Sequence, residues 1–138
     1  MSVATNEHVK SLIPLPLVGF GGAAGTVLRH GLLHLDWSPS ATLLMINLIG
    51  SALLGALSGI YLGREGQMVP ARWLALVGVG FCGGFTTFSG HMVEVATRLD
   101  DGQWNSALLS LTGTSLLCIG GAIAGFVATR PSVGHSRP

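Results

Sequence analysis

Charge is the scarcest commodity in this sequence: acidic and basic side chains make up 9% of its 138 residues, against roughly 25% in a soluble domain. So few charges cannot coat a water-exposed surface, whereas they suit a chain wrapped in lipid. The formal net charge is +1, which leaves no basic footprint for nucleic acid. Cysteine is nearly absent. Cys82 and Cys118 both sit in apolar stretches without metal-ligand spacing and read as small buried hydrophobes. His8, His30, His34, His91 and His135 form no ligand cluster, and no Ser-His-Asp order or carboxylate pair lies at membrane depth, so an enzyme is not expected. Nothing at the start reads as a cleaved signal peptide: it is polar, contains Glu7, and runs into an apolar stretch longer than a signal sequence carries.

What is present is apolar and continuous. Residues 11–28, 37–63, 73–93 and 102–129 contain no Asp, Glu, Lys or Arg. A bilayer core is crossed by roughly 20 apolar residues of helix, so helices are expected near 14–34, 40–62, 71–97 and 104–128. The first is the least clean, because Arg29 and His30 fall near its end. The connections carry breakers or charges: Asp36-Trp37-Ser38-Pro39, Arg64-Glu65-Gly66 and Asp100-Asp101-Gly102. The expectation is an all-α membrane protein, one domain over residues 1–130, with a disordered tail at 131–138. Four spans put both termini on one side. Termini in the cytoplasm place Lys10, Arg64, Arg72, Arg130 and Arg137 inside and Arg29 and Arg98 outside, a modest positive-inside bias for the plasma (inner) membrane.

Glycine is over-used, at 21 residues against an average of about 7%. Gly21/Gly25, Gly55/Gly59, Gly59/Gly63 and Gly121/Gly125 recur at helical spacing. Lipid offers little hydrophobic drive between helices, so small residues that let backbones approach replace it. Ser51, Gly55, Gly59 and Gly63 form one such stripe on the second helix, equally suited to packing within the chain or against a second copy.

The densest chemistry lies in the third span, Gly78-Val79-Gly80-Phe81-Cys82-Gly83-Gly84-Phe85-Thr86-Thr87-Phe88-Ser89. Two glycines followed by two β-branched threonines make a poor helix interior, so this helix is expected to break near its middle. Irregular backbone at membrane depth is tolerated where it is buried in protein or lines a polar cavity, and a break frees carbonyl oxygens that suit a hard cation such as Na⁺. A glycine-rich packing kink is the alternative.

The segment Gly83-Gly84-Phe85-Thr86-Thr87-Phe88-Ser89 resembles the signature of the Fluc/CrcB fluoride channels. Three further stretches agree: Gly21 to Arg29 resembles that family's first-helix segment, Thr42 to Ser51 its second helix with Asn47 at the pore asparagine, and Glu94 falls at its acidic position after the signature. The resemblance implies an antiparallel, dual-topology dimer with two fluoride pores that passively exports cytoplasmic fluoride. It implies a central structural Na⁺ at the dimer interface, held by backbone carbonyls of Gly83 and Thr86. Phe88 would line the pore by its ring edge, Asn47 would donate a hydrogen bond to the ion, and Arg29 would stand at the vestibule. Physical chemistry supports each role. A strongly hydrated anion needs replacement donors, which an amide offers, and the rim of an aromatic ring is its positive part. Ser110, Thr114 and Cys118 follow at i,i+4 spacing on the fourth helix. That hydroxyl face suits either a polar track for fluoride or bonds back to its own helix.

One position departs from the family. Where a second phenylalanine is usual, this chain has His91, preceded by Gly90. Imidazole offers one N–H donor when neutral and two when protonated, and it changes charge near neutral pH. Three consequences are open: an intact pore with an altered ring, permeation that is slowed or pH-dependent, or one half of a heterodimer with a paralogue in place of a homodimer. A small multidrug exporter, also a four-helix dimer, would need a carboxylate in the first helix, and residues 11–28 contain none. A non-conducting interaction subunit would need the glycine stripes but not Asn47, Phe88 or the broken third helix.

Overall fold

A computed structural model describes residues 15–63 and 70–130. The tail at 131–138, and Lys10, Arg64 and Arg137 of the charge count, lie outside the described residues. Every element among them is helical. α1 spans Leu15–Leu33 and α2 Pro39–Gly63. α3 begins at Ala71–Trp73, widens into a π-helix over Leu74–Cys82 and closes with an α-turn at Gly83–Phe85. α4 spans Phe88–Asp100 and α5 Trp104–Thr129. Taken together, α3 and α4 are the third helix of the sequence, interrupted at Thr86-Thr87.

Among the described residues, three helical stretches are long and apolar enough to cross a bilayer: Pro39–Leu62, Leu74–Asp100 and Trp104–Thr129. α1, with 19 residues, falls short of that standard, since Arg29 and His30 dilute its C-terminal turn. The outward faces agree with a lipid surround. Phe20 is 74% exposed and Leu109 73%, a cost in water that vanishes against acyl chains.

Local chemistry sets the ends. Pro39 occupies the first position of α2, where its missing N–H is no loss. Gly102, at φ 73°, turns the chain between α4 and α5. Its N–H bonds the Leu99 carbonyl at 3.0 Å, and Gln103 N–H bonds Arg98 O at 2.8 Å, the left-handed glycine cap that terminates many helices.

The glycine stripes are spent inside the chain. A methyl group at Gly21 or Gly25 would collide with the backbone of α3, and one at Gly55 or Gly59 with the Ala122 or Phe126 carbonyl of α5. Gly125 answers from α5, directly on the Ala52 carbonyl of α2. Two close-packed pairs result, α1 on α3 and α2 on α5. Phe85 and Ile46 are among the residues filling the small core between them, at 3% and 0% exposure.

Candidate functional site

The break falls on the threonines and not on the glycines. Gly83 keeps helical angles (φ −64°, ψ −37°), while Thr86 (ψ 156°) and Thr87 (φ −148°, ψ 110°) are extended. β-Branching favours extended backbone. The work of Gly84 is proximity: a methyl group there would strike the Gly22 carbonyl of α1.

Four side chains hold the break open. The Thr86 hydroxyl and N–H both donate to the Cys82 carbonyl at 2.9 Å, closing α3. Thr87 Oγ1 accepts from Gly90 N–H at 3.1 Å and so caps α4. From α2, Asn47 Oδ1 accepts Thr87 N–H at 2.8 Å while its Nδ2 donates to Thr87 O at 3.1 Å. An unbroken helix would have delivered that Thr87 N–H to the Gly83 carbonyl. From α1, Arg29 Nη1 donates to the Thr86 carbonyl at 3.0 Å. Thr26 adds a longer bond to Gly84 O at 3.4 Å.

A largely apolar groove of about 560 Å³ lies against this break. Asn47, Gly83, Thr86, Phe88, His91 and Thr114 all line it, so the fold gathers most of the residues singled out in the sequence. Cys82, Ser115 and Cys118 line it as well. A methyl group on Gly83 would meet nothing within 4 Å, so the space beside its backbone is open. Phe88 is 70% exposed on the rim. Ser110 is absent from this lining. It belongs to a second groove of about 340 Å³, which Thr114 shares and which Glu94 and Arg98 flank. Thr112 and Ser115 return their hydroxyls to the Leu108 and Leu111 carbonyls at 2.8 and 2.7 Å. No such bond forms at Ser110 or Thr114 among the described residues. Arg29 has its guanidinium on the carbonyl of Thr86 at the break.

The second groove contains a network that was only half legible. Glu94 Oε1 pairs with Arg98 Nη2, as their i,i+4 spacing suggests, and also accepts from Ser40. Arg98 reaches on to Ser106 Oγ at 2.7 Å and Ser40 Oγ at 3.2 Å. Ser40 and Ser106 carried no signal, because they meet Arg98 only through the packing of α2 and α5 on α4. Thr87 carried one that was missed: a threonine directly before a helix is a ready N-cap. Beside the network, His91 is buried, with Nδ1 3.9 Å from Glu94 Oε2.

A helical membrane bundle in which a break within one helix borders a groove carrying a few polar side chains has the build of a small channel or transporter. The family model described as "CrcB-like protein, Camphor Resistance (CrcB)" matches residues 16–126, and the chain belongs to this family. It is 38% identical over 119 residues to the "Fluoride-specific ion channel FluC" of Magnetococcus marinus, covering 82% of this chain and 94% of that one. To the protein of the same name from Paramagnetospirillum magneticum it is 34% identical over 122 residues, 85% and 95% covered. To "Fluoride-specific ion channel FluC 2" of Synechococcus sp. CC9605 it is 42% identical over 117 residues, 83% and 80% covered.

Proposed function

We propose that this chain is a fluoride channel, a multi-pass protein of the plasma membrane that lets cytoplasmic fluoride leave passively. The observation that carries the reading is the clamped break at Thr86-Thr87 beside a groove lined by Asn47, Phe88 and Thr114. It joins the shared name of the relatives to the physical needs of the ion. Fluoride gives up a strong hydration shell on entering a pore. The second N–H of Asn47 Nδ2, the Thr114 hydroxyl and the rim of Phe88 are donors or positive edges that substitute for it. Ser110 continues the hydroxyl face in the neighbouring groove. Arg29 contributes fixed positive charge at the break.

Two antiparallel copies complete the pore in this reading. One chain leaves the groove open and Phe88 largely uncovered, and a second copy closes both. The homodimer accords with a chain that keeps Asn47, Phe88 and the broken helix, and a paralogous partner is the alternative the test below decides. A Na⁺ ion would be held between the copies by the carbonyls of Gly83 and Thr86. The open space at Gly83 suits it, and Thr86 O keeps one lone pair beyond the bond to Arg29. The ion would supply fixed positive charge without a buried lysine.

The deciding experiment loads liposomes with fluoride, reconstitutes the chain alone, and follows efflux with a fluoride electrode against chloride-loaded controls. Rapid loss of fluoride without chloride is expected, with a dimer by native mass spectrometry. Folded protein that passes no fluoride would sink the self-sufficient channel.

A further inference from the structure

We infer that His91 is a proton-dependent donor to the permeating fluoride, so that fluoride occupies the pore of this chain together with a proton on the imidazole. This rests on the fluoride-channel reading and adds a control that neither the relatives' names nor the groove alone contain.

The geometry turns on the two ring nitrogens. Nε2 is buried and has no hydrogen-bond partner, the only side-chain atom in that condition among the described residues. Nδ1 lies 3.9 Å from Glu94 Oε2. That exceeds hydrogen-bond length, and of the two neutral tautomers the one with its proton on Nδ1 turns that N–H toward the carboxylate. Glu94 is itself fixed, since Oε1 is taken by Arg98 and Ser40. Oε2 is the oxygen left to face the imidazole.

The neutral ring therefore keeps its lone pair on Nε2, and a lone pair repels an anion. Protonation replaces it with an N–H. A buried donor needs an acceptor, and no protein group supplies one here. The ring belongs to the wall of the groove that also holds Asn47, Phe88 and Thr114, so an anion there becomes its acceptor once the ring turns. Nε2 is enclosed in the arrangement observed, and the ring must turn toward the groove to meet the ion. Among the described residues, the helices packed around the ring bring no further carboxylate to it. α3 contributes the Cys82 thiol, α5 the Cys118 thiol and α2 the Asn47 amide, while Arg29 of α1 is engaged with the Thr86 carbonyl. Proton and fluoride then favour each other's binding by the same factor. The second phenylalanine usual in the family cannot do this, because a ring edge does not titrate.

The test is fluoride efflux from liposomes at equal internal and external pH, stepped from about pH 8 to about pH 5, the range in which imidazole gains its proton. The leak of protein-free vesicles is subtracted at each pH to remove neutral weak acid crossing the lipid. Wild-type flux is expected to rise as pH falls, by about tenfold per pH unit on the alkaline limb, the slope for one essential proton. His91→Phe is expected to give a flat profile. His91→Gln, whose amide donates at every pH, is expected to be flat and to outpace wild type at pH 8. If either variant fails to elute as folded protein, the other carries the comparison. Fast but pH-independent wild-type flux overturns the inference and leaves the channel reading standing. A pH profile in the variants that matches wild type overturns it equally. No wild-type flux at any pH overturns the channel reading and this inference with it.

Discussion

Asn47 on α2 spends both functions of its side-chain amide on the backbone of one residue, Thr87: its oxygen takes the N–H at 2.8 Å and its nitrogen reaches the carbonyl at 3.1 Å. An amide used in this way is a substitute helix neighbour. It satisfies the Thr87 N–H, which the break would otherwise leave unpaired at membrane depth, where no water is at hand to do so, and adds a second bond to the Thr87 carbonyl, which as the N-cap of α4 also accepts from its own helix. One N–H of Asn47 remains, and the same side chain therefore both holds the break and offers a donor to the groove.

Replacing Asn47 by alanine is expected to cost about 2 kcal/mol, two hydrogen bonds of about 1 kcal/mol each, and to abolish fluoride flux. Thermal denaturation in detergent and liposome efflux read the two effects. Asn47→Asp retains the acceptor for Thr87 N–H but sets a carboxylate oxygen against the Thr87 carbonyl, so it should be no more stable than the alanine variant. Wild-type stability in both would show that something other than this clamp keeps α3 and α4 apart.

Arg29 reaches the Thr86 carbonyl with one guanidinium nitrogen. Arg29→Gln removes the positive charge at the break while keeping a hydrogen-bond donor, and Arg29→Lys keeps the charge on a shorter reach. Flux should fall strongly in Arg29→Gln and partly return in Arg29→Lys. Equal flux in the two variants would mean that charge at this point is irrelevant to permeation.

The glycine contacts give a contrast by position. Gly55→Ala drives a methyl group into the Ala122 carbonyl of α5, whereas the space beside Gly120 is open. Overpacking of this kind costs about 1–3 kcal/mol, and backbone has little room to yield. The expected outcome is loss of folded yield on gel filtration for Gly55→Ala and normal yield for Gly120→Ala. Similar behaviour of the pair would contradict the packing of α2 on α5.

Glu94 and Arg98 pair at 15% and 28% side-chain exposure. Arg98→Met leaves a carboxylate with Ser40 as its remaining close donor, and hydrogen bonds to charged groups are worth about 1.5–3 kcal/mol. Adding Glu94→Gln should restore part of that loss, since the doubly substituted protein contains no unpaired charge. A double-mutant cycle on melting temperature measures the coupling. Strict additivity would show that the pair is not energetically linked.

Much of this protein was legible along the chain. The charge-free intervals mark the helices because a bilayer penalises charge locally, residue by residue. The glycine spacings mark close helix contacts for a similar reason, and the glycines and threonines of residues 83–87 announce a break near the middle of the third helix, which the structure places on Thr86-Thr87. A resemblance at Asn47, the signature segment and Glu94 supplied the family, which the match over residues 16–126 establishes.

Other features depended on which helix faces which. Nothing in the spacing of Gly55 and Gly59 says that they meet α5 of their own chain. The resemblance offered Asn47 as a pore donor, and only the approach of α2 to the break shows that it also clamps Thr87. Nothing along the chain tied Arg29 to Thr86; the packing of α1 against α3 set its guanidinium there. The pocket of Ser40, Glu94, Arg98 and Ser106 joins three helices, and the setting that leaves His91 Nε2 without a partner is likewise a product of packing. Lipid solubility and helix length are sums over neighbouring residues, so sequence by itself determined them. Hydrogen-bond partners at membrane depth are chosen among groups far apart in the chain and brought together by packing, so only the tertiary structure decided them.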